Sequence, residues 1–345
     1  MKNKIVALLL CGMLSASVIA CGDANKTSNE PSTATASPEA AKTEHTLKIG
    51  QVYTAAHGTK SFALTTVVVE NDTIVSAYLD EFQFFGTDAD ITGVPNSDEA
   101  FADGFAKENV LGSKRTNTAY YSELMKSVAK STVAINDNFD AIQAHTVGKT
   151  VAELETLMKD EKAVDAVSGA TLADTANYVG SIVEAARAAQ NSDTTATYNG
   201  DLSALTLKVS YGKPHGTKSF GTGAVLTDGT KVILSYIDEF QFLTNEDGVV
   251  GVPNSDADFA AGYADGVVLA SKRVNNKYYS DLMVSHAKST VAIEDNFNAI
   301  QSHVNGMEIS AVTALAAEEK PVDAITGATL ADTAGYLNLL VETTK

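Results

Sequence analysis

The chain has 345 residues, room for two domains of ordinary size, and a formal charge of −18. A phosphate backbone is repelled by so acidic a surface, which excludes nucleic acid as a partner. Apolar residues make up 44% with no Trp, the composition of a globular protein and not of a disordered one.

Residues 1–20 read as a secretion signal: Lys2 and Lys4, a short apolar core over 5–14, then the small residues Ser15, Ala16, Ser17 and Ala20. The core is too short to span a bilayer, which takes about 20 residues. The end of the segment, Val18-Ile19-Ala20-Cys21, resembles the lipobox of bacterial lipoproteins. That resemblance implies an acylated Cys21 as the new N-terminus, and a protein lipid-anchored on the extracellular face of a Gram-positive type cell membrane. A plain secreted protein with an incidental Cys21 is the alternative. Cys11 leaves with the signal, so once Cys21 carries lipid no thiol remains for a disulfide, a thiolate metal site or cysteine catalysis. Removal of Lys2 and Lys4 leaves 23 basic against 43 acidic side chains, a charge of −20. Residues 22–44 are rich in Ser, Thr, Ala, Asn and Pro without apolar period. Together with Cys21 they read as a disordered tether (21–44) that reaches about 75 Å at ~3.3 Å per residue.

The chain then repeats itself. Residues 57–171 match 215–329 without a gap at an offset of 158. His57-Gly58-Thr59-Lys60-Ser61-Phe62 recurs from His215 to Phe220, and Asp80-Glu81-Phe82-Gln83-Phe84 from Asp238 to Phe242. A period this long exceeds a solenoid unit and fits a duplicated domain. The expected organisation is one domain over 45–190, a polar linker over 191–201 and a second domain over 202–345, with their mutual orientation left open. Leu47, Ile49 and 51–53 alternate as a strand, as do Leu205, Leu207 and Val209. Segments 65–70 and 74–84 are β-rich and split by Asn71-Asp72; the second copy splits at Asp228-Gly229, a hairpin signal. Ser97 reads as the N-cap of a helix with acids in its first turn. Tyr121, Leu124, Met125 and Val128 keep helical spacing, as do Phe139, Ile142 and Gln143, and 151–158 is a further short helix. The fold class is therefore α+β: two tandem domains, each an antiparallel sheet followed by packed helices and ending in a motif-helix.

That last helix, over 172–189, follows Asp165-Ala166-Val167-Ser168-Gly169-Ala170-Thr171, which recurs as Asp323-Ala324-Ile325-Thr326-Gly327-Ala328-Thr329. Gly169 and Gly327 permit a backbone shape closed to other residues, and Ala170 and Ala328 let a group approach the main chain. Thr171 and Thr329 stand at or near helix N-termini, where free N–H groups favour a phosphate. On spacing alone, Ser168 or Thr171 reads first as a helix N-cap. Both copies match at every fixed position the motif of the FMN-binding domain family, which the chain resembles over essentially its whole mature length.

The resemblance implies that a flavin transferase joins FMN through its phosphate to the hydroxyls of Thr171 and Thr329. Asp165, Ser168, Gly169 and Ala170, with Asp323, Thr326, Gly327 and Ala328, would form the recognition context. With the lipobox, the chain is similar to doubly flavinylated lipoproteins of extracellular electron transfer. Two covalent FMN groups would then pass electrons from a membrane quinol, an NADH dehydrogenase system or another flavoprotein to ferric iron or soluble flavins outside. That is carrier work, with any ferric or flavin reductase activity incidental, and no catalytic residue is assigned. His57, Lys60, His215 and Lys218 are candidates to contact the flavin. The basic pairs Lys114-Arg115 and Lys272-Arg273, and Tyr120-Tyr121 with Tyr278-Tyr279, are further ones; surface charge and core packing explain them equally. His145 and His303 read as helix histidines. No metal site is expected, because no acid or second His stands at ligand spacing from His57 or His145. No Gly-x-Ser-x-Gly elbow or P-loop occurs, and the adjacent acids Asp80 and Glu81 face opposite sides of a strand. The rival reading is a solute-binding surface lipoprotein without flavin, its threonine turns serving as caps.

Overall fold

β-branched and aromatic residues lead each half into an antiparallel sheet. β1 (His45–Thr54) pairs with β2 (Ser61–Glu70), and the Asn71-Asp72 turn leads into β3 (Thr73–Gly86). Asn71 takes a positive φ of 56° there, which its short polar side chain tolerates. β4 (Asn109–Ser113) adds to β3, and the helices α1 (Thr118–Ala129), α2 (Ile135–Thr146), α3 (Val151–Leu157), α4 (Ala163–Ala166) and α5 (Thr175–Gln190) follow. After β5 (Thr195–Tyr198), the second half lays down β6 (Thr206–Gly212), β7 (Ser219–Thr227), β8 (Val232–Thr244) and β9 (Val267–Ser271). It closes with α6 (Asn276–Ala287), α7 (Ile293–Val304), α8 (Ile309–Ala316) and α9 (Thr333–Thr343). The sheet orders are β4-β3-β2-β1-β5 and β6-β7-β8-β9, every pairing antiparallel, so the class is α+β.

This computed structural model describes residues 43–160 and 162–345. The secretion signal, Cys21 and the tether up to residue 42 lie outside the described residues. None of the described helices is long and apolar enough to cross a membrane.

Three local expectations differ from what is observed. Segment 191–201 is not only a joint: Thr195, Thr197 and Tyr198 suit a strand, and β5 pairs with β1 as the edge of the first sheet. Ser97 caps no α-helix. The chain forms a five-residue 3-10 helix, Ala100–Gly104, because Phe101 N–H is drawn to Thr217 O at 2.8 Å in the other half. The helix expected over 172–189 begins at Thr175 as α5, since residues 172–174 form a turn closed by Thr175 N–H on Leu172 O.

β2 is buried on both faces, and its alternation separates two cores. Ala63, Val67 and Val69 face α2 and α5; Phe62, Leu64 and Val68 face the opposite way, toward the sheet of the other half. The described residues therefore stack as helices, sheet, sheet, helices in one compact unit. The layer between the sheets is aromatic: Phe62 stacks on Phe82 at 5.1 Å, Phe220 on Phe240 at 4.9 Å, and Tyr53 meets Phe240 edge-on at 4.9 Å. Such pairs contribute ~0.5–1.5 kcal/mol each beyond their buried area.

Contacts across this layer are reciprocal. Tyr53 donates to Asp238 and Tyr211 to Asp80, both at 2.6 Å. The Asn96 amide donates to the Gly216 and Ser219 carbonyls, and the Asn254 amide to those of Gly58 and Ser61. Gly104 lies on the Phe242 ring and Gly262 on the Phe84 ring; a Cβ at either would stand 2.1 Å from ring carbon.

Candidate functional site

The repeated turn is fixed from below. Val167 is buried, Ala170 N–H closes on Val167 O, and Gly169 takes φ +93°. Gly327 takes φ +92° at the same place, and Ala328 N–H closes on Ile325 O. A side chain at either glycine would be strained by that φ, so the sequence needs glycine here. The next residue is held by α2: Asn138 Oδ1 accepts the Thr171 backbone N–H at 2.6 Å and its hydroxyl at 3.2 Å. The Asn138 amide in turn donates to the Val133 and Ala134 carbonyls, which fixes which end of the amide faces the threonine. Asn296 holds Thr329 with the same two distances. Both threonines are exposed while the asparagines beneath them are fully buried.

Neither hydroxyl caps a helix. Asp174 and Asp332 occupy the N-cap positions of α5 and α9, three residues beyond the threonines. Each of these aspartates binds a histidine instead: His57 Nδ1 and Asp174 Oδ2 are 2.7 Å apart, as are His215 Nδ1 and Asp332 Oδ2. With Nδ1–H donating to the carboxylate, the ring is oriented and Nε2 remains as its second nitrogen.

Each threonine and its His–Asp pair stand on the wall of a cleft. The first measures ≈ 740 Å³ and is lined by Thr171, His57, Asp174, Lys114, Tyr121 and Tyr178, with Leu124, Met125 and Val128 of α1 on the apolar side. The second measures ≈ 770 Å³ and carries the matching residues, Thr329 among them. Sixteen aligned positions line both clefts, and fifteen hold the same residue, the exception being Val128 against His286. Over residues 57–171 as a whole only about half of the positions agree with 215–329. A further hollow of ≈ 810 Å³, bounded by 193–200, Asp228, Lys231 and Asn305, contains neither motif threonine.

The wall of each cleft runs into a buried charge cluster. Lys114 is 1% exposed; its Nζ lies 2.5 Å from Glu81 Oε2 and 4.3 Å from the centre of the Tyr121 ring. Glu81 also accepts from Ser61 Oγ at 2.7 Å and Tyr178 OH at 2.8 Å. Burial is the largest single effect on the Lys114 ammonium and pushes it down; Glu81 and Tyr121 together outweigh it, and the amine ends above the usual lysine value. Burial, then the charge of Glu81, pushes the Tyr178 phenol well above its ordinary range. Lys272, Glu239, Ser219 and Tyr336 repeat the cluster with the same directions.

The adjacent acids do face opposite sides. Asp80 turns to the aromatic layer, where it accepts from Ser113, Tyr211 and two backbone N–H groups. Burial raises its carboxyl above the usual aspartate value, and those donors pull it part of the way back.

Of the residues singled out from sequence, His57 and His215 line the clefts, as do Lys218, Lys114, Lys272, Tyr121 and Tyr279. Lys60 is exposed and outside the first cleft lining. Asp165, Ser168 and Gly169, with Asp323, Thr326 and Gly327, lie exposed on the turn ahead of the threonine; Ala170 is buried and Ala328 half-buried. Arg115 and Arg273 turn away, to Gln143 and Asp140 and to Gln301 and Asn298. Tyr120 packs edge-on against Phe85, and Tyr278 donates to Glu246. His145 and His303 sit in the last turns of α2 and α7, and burial lowers the His145 pKa.

Asn138, Asp174, Glu81 and Tyr178 were not among the sequence candidates for the site. One signal was present for all four: each recurs in the other half, as Asn296, Asp332, Glu239 and Tyr336, and identity continues past Thr171 through Leu172-Ala173-Asp174-Thr175-Ala176 and resumes at Tyr178. Comparison of the chain with protein-family models, with curated proteins and with solved structures returns no match.

Proposed function

We propose that the two halves are copies of one domain, each ending in its motif-helix, that Thr171 and Thr329 each carry FMN through a phosphoester, and that the protein is an extracellular electron carrier. The observation that supports this most is the pairing of each motif threonine with a cleft whose lining hardly differs between halves that otherwise differ at about half their positions. The cleft volumes lie within the ~300–1,000 Å³ of small-molecule sites. The donor set suits the group: an exposed hydroxyl for the ester, cations for its phosphate and for a reduced ring, and an aromatic and apolar side for a flat heterocycle.

When bound, the isoalloxazine supplies the redox chemistry. The protein's own residues do the rest. Asn138 and Asn296 fix the threonine hydroxyls, and Gly169 and Gly327 let the chain turn beside them. Lys114 and Lys272 hold positive charge at the cleft wall. His57 and His215, oriented by Asp174 and Asp332, present a second nitrogen for hydrogen bonding or proton exchange. Leu124, Met125, Leu282 and Met283 keep water from one side. A lipid on Cys21 anchors the protein to the outer face of the cell membrane, where a covalent flavin is not lost by dilution. Electrons come from a membrane quinol, an NADH dehydrogenase system or another flavoprotein, and leave to ferric iron or soluble flavins.

Intact-mass measurement of protein made beside an active flavin transferase tests the reading. Two additions of FMN less water are expected, one lost in Thr171→Ala and the other in Thr329→Ala. A colourless protein at its unmodified mass overturns the proposal and leaves the solute-binding lipoprotein as the better account.

A further inference from the structure

The two clefts differ at a single shared lining position. The last turn of α1 places Val128 on the first cleft, and the last turn of α6 places His286 on the second. Val128 is among the most exposed apolar side chains of the described residues, 76% open to solvent. The remaining charges at shared positions cancel in the comparison: Lys114 against Lys272, Lys130 against Lys288, His57 against His215, and Asp174 against Asp332.

We propose that the two sites are unequal: the Thr329 cleft favours the reduced flavin more than the Thr171 cleft does, and residue 286 against residue 128 sets much of the gap. The inference rests on the carrier reading above. Reduction puts negative charge on the ring. An imidazole at the mouth stabilises that charge, as a cation when protonated and as an N–H donor when neutral. A valine offers neither, so a reduced ring beside residue 128 finds no such partner there. Both substitutions therefore act in one direction whatever the protonation of His286.

The inequality gives the pair a sense of flow. Electrons exchanged between the two bound flavins would leave the first and settle on the second, one gained for each lost. Protons released at the first site go to solvent, and those taken up at the second come from it.

Single-flavin proteins isolate each site: Thr171→Ala keeps only the flavin on Thr329, and Thr329→Ala only the one on Thr171. Spectroelectrochemical titration of both at pH 7 is expected to place the Thr329 site higher, by roughly tenfold in the reduction equilibrium, or ~30 mV for a two-electron couple. His286→Val in the first protein lowers that value, and Val128→His in the second raises the other. The imidazole NMR signals of His286 are expected to move between oxidised and reduced protein.

Equal potentials, the reverse order, or swaps without effect overturn the inequality while leaving flavin carriage intact. Absence of covalent flavin from both proteins by mass overturns carriage itself, and the inequality with it.

Discussion

Lys114→Met tests whether the buried charge cluster holds the sheet to its helices. The Lys114 and Glu81 side chains are 1% and 0% exposed. Removing the ammonium leaves a buried carboxylate with only the Ser61 and Tyr178 hydroxyls, and breaking one side of a buried pair costs ~3–5 kcal/mol. Glu81→Leu strands the ammonium instead and orphans the Tyr178 hydroxyl, adding ~1–3 kcal/mol. The double variant removes both charges, so it is expected to be clearly more stable than the sum of the singles implies, with a coupling of several kcal/mol. At ~2–4 °C per kcal/mol, Lys114→Met lowers the Tm by roughly 6–20 °C. Urea and thermal unfolding followed by circular dichroism supply the four corners of the cycle. Lys272 and Glu239 give an internal replicate. A single-variant cost below ~1 kcal/mol, as for an exposed pair, or strict additivity would refute the argument.

Four further outcomes are expected. Gly104→Ala and Gly262→Ala each force a methyl into an aromatic ring of the other half; each is expected to lose ~1–3 kcal/mol in urea unfolding, and a neutral result would contradict the face-to-face packing. Tyr211→Phe and Tyr53→Phe each remove a donor from a buried aspartate, for ~1.5–3 kcal/mol by the same measurement, against no change were these phenols hydrated. Burial raises the phenols of Tyr53, Tyr178, Tyr211 and Tyr336, so unfolded tyrosines lose protons first and stability falls as pH climbs past about 10. Phenolate absorbance should then show these four ionising together with unfolding; smooth titration in the native state would count against it. The raised Lys114 and Lys272 amines add a loss of the same sign above about pH 10.4, and Lys114→Met is expected to remove its share.

Elements whose information is local were readable from sequence. The β-rich composition of 65–70 and 74–84, the Asn-Asp and Asp-Gly turns, and the helical spacing through Met125 and Ile142 all appear as strands, turns and helices at those places. The motif threonines were readable as a repeated pattern, and so were the histidines near them. What was not readable depends on pairing across distance. Asn138 stands 33 residues before Thr171, and nothing in its helix marks it as a hydrogen-bond partner. Glu81 looked like one of two unpaired acids, because the lysine that neutralises it comes 33 residues later. Ser97 carried a good capping signal, but a backbone bond from Phe101 to the other half outcompeted the helix. A polar joint gave no hint that β1 would offer it an open edge.

Two identical subunits meeting about a dyad receive every mutation twice, once on each side of the seam. Here the paired sheets belong to a single polypeptide, so partners such as Asn96 and Asn254, or Gly104 and Gly262, are encoded separately although they do the same work. Residue 286 is histidine where residue 128 is valine, and both lie on the clefts and away from the seam. A single chain thus keeps the mechanical advantage of a matched pair and lets each end of the molecule differ by itself.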